Sequence, residues 1–346
     1  MGLLFFDGSS FYSTTTLSQR YSFSSSPVVE PTSGHWNATH RNGRLLCDTG
    51  ADFIDLATNN TDSVFIAQWY NYTQNIGLAG DTQNSHNFRN NSEGITHVTM
   101  RIKSNGCLQF LRGGTTTILI SESMVRSNNW HYLEVALKIS DTVGQIHARV
   151  DGKLVLNEYG LDTKNGGTNA WVDTLRVDPD GNNTRDIYVC NPIFMSSTGS
   201  SYNNFIGPKR VYTCFPTGGD TSNWTRGSTG STNWQLVDET DPDGDSTFVE
   251  SASTGTVDLY QFENLPSNCS VVDAVAINFS AKDSTGGTSN MRAIIDSTGN
   301  ISNGATVSLT SSYAIYQTIF MTDPNGGGAW TPAAVNNLLA GIEVVA

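Results

Sequence analysis

Between Asn129 and Tyr159 the chain reads NWHYLEVALKISDTVGQIHARVDGKLVLNEY, with apolar side chains on every second residue. Leu133, Val135, Leu137 and Ile139 take one face; Tyr132, Glu134, Ala136 and Lys138 take the other. A period of two marks a strand with one buried side, because successive Cβ atoms point to opposite faces of a sheet. Ser140 to Gly144 supply turn residues, after which Ile146, Ala148 and Val150 resume the alternation. Asp151-Gly152 tolerates the positive φ angles of a type I′ hairpin turn, and Lys153 to Leu156 runs back. The stretch predicts an antiparallel meander of three strands.

Short apolar or alternating runs recur on both sides of it. Upstream they are Leu3–Asp7, Arg44–Cys47, Asp52–Leu56, Ser63–Tyr72, His97–Ser104, Cys107–Leu111 and Thr117–Ser121. Downstream they are Trp171–Val177, Arg185–Val189, Thr247–Ser251, Val257–Phe262, Val272–Ala281, Met291–Asp296, Tyr313–Met321 and Ile342–Val345. Gly/Asn/Ser turns separate them, the pattern of β-sandwiches and jelly rolls. One short helix is signed by Thr331 as cap, Pro332 at its first position, a body from Ala333 to Leu339 and Gly341 as stop. The alternation lapses from Asn191 to Gly207. At 346 residues two domains are expected. The reading is all-β: a sandwich over 1–195, a linker over 196–208, and a smaller β-sandwich over 209–346 that carries the helix.

Charge and motifs narrow the function classes. The net charge is −13, so phosphate backbones are repelled and nucleic acid is not an expected partner. No apolar run reaches the 18 residues of a membrane span, and MGLLFFDGSSFY lacks the basic region of a secretory signal. The five cysteines are odd in number and widely spaced. Free thiols in a reducing cytoplasm are expected, not a disulfide framework or a zinc site. G-x-S-x-G, H-E-x-x-H, the Walker loop and the E-x-D-x-x-E of glucanases are absent. Glu134 and Glu158 remain two carboxylates that folding could pair.

Trp130-His131 opening one strand and Val150-Asp151-Gly152 closing another resemble the signature of concanavalin A-like sandwiches of the laminin-G and pentraxin kind. In such folds the Trp and His are structural, so His131 is expected to pack and not to bind a ligand. Across most of the chain, segments resemble a group of tailed-phage and prophage virion proteins. They include LLFFDGSSFYST, RDIYVCN, NNFIGPKRV, FPTGGDTSNWT, NWQLVDETDPDGDSTFVES, LYQFENLP and TDPNGGGAWTPAAVNNLLAGIEV. Cys190 and Pro192 depart from that group's usual acidic or turn residues. The resemblance implies a concanavalin A-like sandwich fused to a smaller β-domain. It also implies a non-enzymatic structural protein, made in the host bacterial cytoplasm and exposed on the virion as a tail or fibre appendage or a capsid decoration. Its expected partners are other virion proteins, further copies of itself (a trimer is favoured) and host-surface glycans. The competing class is a glycan-cleaving enzyme or a free carbohydrate-binding module on the same fold.

Trp224 and Trp234 lie in polar stretches and are the candidate glycan-stacking residues; packing against the sandwich edge is the alternative. In the acidic turn from Asp238 to Asp245, Asp241, Asp243 and Asp245 copy the first ligand positions of an EF-hand loop, which admits Ca2+. Ser246 and Ala252 break the rest of that motif, and an Asp-rich turn bonding its own amides is the alternative. Asp178, Asp180 and Asn182 form a similar turn. The longer polar loops of 1–195, notably Asn71–Asn91, suggest that this half faces outward and that 209–346 docks on the particle.

Overall fold

Strands make up nearly all the regular structure in the computed structural model, which describes residues 3–8, 17–20, 22–24, 28–30, 44–47, 53–72, 82–177, 187–198, 201–230, 232–287 and 289–346. The chain divides into two units, Met1–Val211 and Tyr212–Ala346. The first carries β1 (Leu3–Phe6), β2 (Ser22–Ser24), β3 (Val28–Glu30), β4 (Arg44–Cys47), β5 (Phe53–Thr61), β6 (Ser63–Tyr72), β7 (Thr82–Asn90) and β8 (Ile95–Lys103). It continues with β9 (Cys107–Arg112), β10 (Thr116–Ser123), β11 (His131–Lys138), β12 (Gly144–Val150), β13 (Lys153–Leu161), β14 (Val172–Val177) and β15 (Ile187–Ser196).

These strands form two antiparallel sheets. One runs β13-β12-β11-β6-β15-β4-β3 with β1 also on β15; the other runs β10-β9-β8-β7-β14-β5-β2. The meander is present as β11, β12 and β13, with Leu133, Val135 and Leu137 opposite Val150, Ala148 and Ile146. All six of these side chains are buried. Phe88, Val98, Met100, Ile102, Leu108 and Phe110 supply the core from the other sheet, none more than 1% exposed.

One polar pair crosses this core. Gln68 on β6 and His86 on β7 hydrogen-bond at 2.7 Å, both buried. Burial drives the His86 pKa down to about 3, since taking an imidazolium out of water penalises the charged form. β7 was not foreseen; its residues fell within the expected Asn71–Asn91 loop. Its sequence, TQNSHNFRN, is polar, and hydrogen bonds make that polarity compatible with burial: His86 to Gln68 on one face, Asn87 to the Thr99 hydroxyl (2.6 Å) on the other.

His131 has the structural role expected of it. Its Nε2 accepts the Arg126 backbone N–H at 2.9 Å, so the ring proton sits on Nδ1 and donates to Asp151 Oδ2 at 2.7 Å. Asp151 Oδ1 accepts the Tyr132 N–H at 2.8 Å. The Asp-Gly turn is left-handed at both residues, φ +52° and +80°. One carboxylate therefore joins the start of β11 to the turn that follows β12.

The expected boundary region is structured differently. β15 continues to Ser196 through a bulge where Asn191 (φ +50°) and Pro192 together oppose Gln68. The extra residue returns Phe194 to the inward face, and a bulge is where a sheet tolerates proline. Residues 205–207 of the expected 196–208 linker pack on the first unit. The Ile206 and Gly207 N–H groups donate to Glu134 Oε1 at 2.8 and 2.9 Å, and Phe205 lies edge-on to Phe65 and under the Arg149 guanidinium.

The second unit carries β16 (Pro216–Ser222), β17 (Thr225–Arg226), β18 (Val249–Glu250), β19 (Val257–Phe262), β20 (Val275–Ala281), β21 (Asn290–Ser297), β22 (Asn300–Asn303), β23 (Val307–Ser308), β24 (Ala314–Phe320), α1 (Pro332–Asn336) and β25 (Leu339–Val345). A sheet ordered β16-β19-β25-β21-β22, with β23 on β21, packs against the β20-β24 ribbon. Met291, Ala293, Ile295, Phe279, Phe320 and Trp330 meet between them. Thr331 caps α1 by accepting the Ala334 N–H, but the helix ends at Asn336, short of Leu339. Gly341 does not stop it. It lies within β25, where a Cβ would strike the Asp258 carbonyl. Among the described residues no helix is long and apolar enough to cross a membrane.

Two outcomes follow for the first unit. Asp151→Ala should cost about 2 kcal/mol in urea unfolding, the scale of hydrogen bonds to a charged group; Asp151→Asn should cost less, because an amide oxygen still accepts from Tyr132. A loss confined to Asp151→Ala, with Asp151→Asn as stable as wild type, would locate the effect in the left-handed backbone, which Asn tolerates, and not in the carboxylate. The second outcome concerns pH. His86 is neutral when folded and titrates near 6.5 when unfolded, so its contribution is complete above pH 6.5. It falls by about 1.4 kcal/mol per unit down towards pH 3. Denaturation of His86→Gln across that window should give a shallower slope than wild type; matching slopes would contradict the assignment.

Candidate functional site

The second unit holds an open cleft of about 510 Å³ lined by Ser222, Trp224, Thr225, Arg226, Thr232 and Asn233. Local sequence explains its walls. β16 ends at Ser222, a two-residue strand carries Thr225 and Arg226, and a 3-10 turn from Asn233 to Leu236 supplies the far side. These pieces are too short to hold themselves in place by ladder hydrogen bonds alone.

Asp258 on β19 holds them. Its side chain is completely buried. It accepts the backbone N–H groups of Asn223 and Trp224, the Asn233 side-chain amide at 2.7 Å and the Tyr260 hydroxyl at 2.9 Å. The same Asn233 amide reaches the Trp224 carbonyl at 2.9 Å. A carboxylate with four donors is stable out of water where an unpaired one is not. Burial, followed by the neighbouring Asp258 charge, pushes the Tyr260 phenol well above its usual range.

The lining is polar, with no carboxylate among the described residues. Ser222, Thr225 and Thr232 are exposed hydroxyl residues, and Arg226 is exposed with Nη1 donating to the Gly230 carbonyl at 3.0 Å. Such a surface can donate to and accept from a hydroxylated ligand, and can pair with an anion.

Trp224 and Trp234 divide between the two alternatives. Trp224 belongs to the core, 8% exposed, with its indole N–H bonded to the Thr256 carbonyl. It walls the cleft but leaves too little ring in solvent to stack on a sugar, a correction to the sequence expectation. Trp234 is half-buried, packed over Gly219 in the turn that also supplies Asn233. Sequence reasoning missed Arg226, although a signal existed: it is the one Lys or Arg between Arg210 and Lys282.

The acidic turn does not gather its carboxylates. Asp243 accepts from the Thr247 backbone and hydroxyl at 3.1 and 2.8 Å. Asp245 pairs with Lys282 at 2.7 Å and accepts from the Tyr313 hydroxyl, bonds that hold its carboxyl below the usual range. Asp241, Asp243 and Asp245 therefore do not converge, and no cluster of three or more His, Cys, Asp or Glu suited to a metal occurs among the described residues. The turn at Asp178, Asp180 and Asn182 lies outside them. Glu134 and Glu158 do not pair either: Glu134 is opposite Arg149 and engaged with residues 206–207, while Glu158 is opposite Ile146 on the edge strand.

Neither a family model nor a curated protein matches this chain. Solved structures resemble it distantly. The cellulose induced protein Cip1 is 12% identical, with a TM-score of 0.39, over 52% of this chain and 92% of its own. A carbohydrate-binding module, CBM66 from Bacillus subtilis, is 8% identical, with a TM-score of 0.33, over 51% and 96%. A botulinum neurotoxin type C structure, titled for cell entry dependent on two ganglioside molecules, is 13% identical, with a TM-score of 0.35, over 92% and 88%. At this level the likeness carries no argument about function.

Asp258→Asn should lower stability by about 3 kcal/mol by turning one acceptor oxygen into a donor that faces other donors. Trp fluorescence should shift to the red as the segment holding Trp224 loosens. An unchanged melting temperature would show that the cleft walls do not depend on this carboxylate.

Proposed function

We propose that this chain is a non-enzymatic structural protein of a tailed-phage virion, displayed on the particle as an appendage or decoration, whose second unit binds host-surface glycan at the Ser222–Asn233 cleft. The observation that carries the binding role is the lining itself: among the described residues it presents three exposed hydroxyl residues, an amide and a guanidinium. The virion assignment is supported by the segments shared in order along the sequence, from LLFFDGSSFYST to the C-terminal TDPNGGGAW stretch. Virion appendages act as symmetric oligomers, and a trimer of this chain would present three clefts, multiplying weak single-site affinity through avidity. On this reading the second unit, not the first, is the one that must reach the host, the reverse of the polarity expected from loop length.

Particle reconstruction and a panel of bacterial surface polysaccharides test the two parts separately. The expected result is density for the chain on the particle surface and binding without chain shortening. Thr225→Trp, which fills the cleft, should abolish binding while the melting temperature stays within about 1 °C, consistent with an exposed substitution. Depolymerisation of a bound polysaccharide by the purified protein would replace this reading with a glycan-cleaving one.

A further inference from the structure

We infer that residues 162–169 form an acid-released clasp between the two sheets of the first unit, closed while His97 is neutral and opened when its ring takes up a proton; this stands independently of the glycan site. The segment leaves β13 on one sheet. There the Thr163 and Lys164 N–H groups donate to the Ser140 carbonyl at 2.9 and 3.1 Å, and the Thr163 hydroxyl donates to the Lys138 carbonyl at 2.7 Å. It then crosses to the other sheet, where the Asn165 side-chain amide donates to the Thr96 carbonyl at 3.1 Å. In the turn between β7 and β8, Glu93 accepts the Thr168 N–H at 3.2 Å and the Asn169 side-chain amide at 2.7 Å. The seat is close: a Cβ on Gly113 would strike the Asn165 side chain.

His97, on β8, is fully buried beneath this segment. Its Nδ1 accepts the Asn165 backbone N–H at 3.2 Å. A ring nitrogen that accepts carries no hydrogen, so the imidazole is neutral with its proton on Nε2. A second proton has to enter at Nδ1, where it meets the Asn165 N–H donor against donor. The contact that holds the segment then expels it. Burial keeps the His97 pKa below its ordinary value, aided by Lys164 and opposed by Glu93, the Asn169 backbone and Asp141. Among the charged groups around it, Lys164 pairs with Asp141 and Arg112 with Asp162. Arg89 lies opposite Thr96, and Asp173 accepts the Asn91 and Ser92 N–H groups. The open clasp binds the proton more readily than the closed one. The segment is therefore fully held above pH 6.5 and loosens as pH falls below it.

The test is hydrogen exchange of residues 163–169 in the full-length protein, read by mass spectrometry at about pH 7.5 and pH 5 and corrected for the intrinsic pH dependence of exchange. The expected result is an opening equilibrium about five- to thirtyfold larger at the lower pH, the range that one proton taken up on opening provides. His97→Asn sets a non-titrating oxygen near the position of Nδ1 and keeps Glu93, Asp141 and Asp162, so its opening should respond far less to the same change. An unchanged opening equilibrium in the wild type, or an equal rise in His97→Asn, would overturn the inference. The imidazole 15N shifts of the wild-type protein give a reading that does not depend on how the variant folds. His97 should carry its proton on Nε2 at neutral pH, and its second protonation should track the rise in exchange. Protonation of His97 with the segment still protected would also overturn the clasp.

Discussion

Asp258 is held out of water by four donors, and the groups that supply them cannot move independently of it. Two are backbone amides of the segment that forms one wall of the cleft, and a third is the side chain that begins the other wall. The desolvation penalty of a carboxylate is large enough that losing any one partner leaves a costly buried charge. Short, otherwise unsupported pieces of chain are thereby locked to a strand in the middle of the sheet. The first unit repeats the device: Asp151 joins β11 to the turn after β12, and Glu134 holds residues 206 and 207. In each case an acidic side chain accepts backbone N–H groups that no ladder could satisfy.

This economy explains which parts of the fold were legible in the sequence. The strands read correctly, β6 and β11 to β13 above all, bury apolar side chains on one face, and that face leaves a two-residue period. His131 was legible because its partner Asp151 sits in a turn dipeptide recognisable on its own. β7 was not legible, since its buried groups are satisfied by Gln68 and Thr99, residues from other strands that no local window contains. Gly341 misled for a related reason: glycine after a helix signature reads as a stop, but here the demand for a missing Cβ comes from the Asp258 carbonyl across the sheet.

The site was half legible. Two tryptophans in similar polar stretches looked equivalent, and what separates them is a network centred 34 positions from Trp224. That network draws Trp224 into the core and leaves Trp234 at the surface of its turn. Arg226 carried a compositional signal, being the one Lys or Arg between Arg210 and Lys282, but composition does not say which cation lines a cleft. The acidic turn shows the converse: of three aspartates at metal-like spacing, Asp243 is engaged by Thr247 and Asp245 by Lys282 and Tyr313, so these two carboxylates serve separate partners.

The return of residues 205–207 onto Glu134 bears on how the first unit is made. Its strands emerge from the ribosome in order, yet β1 finds its partner only when β15 appears, nearly two hundred residues later. The outer face of β11 then waits for the segment beyond β15 before Oε1 of its buried carboxylate gains its two N–H donors. Vectorial synthesis therefore gives this unit no early resting point. The open sheet edges and the uncovered charge persist until the chain has been extruded past Gly207, which places the burden of avoiding misassembly on the interval before the second unit begins.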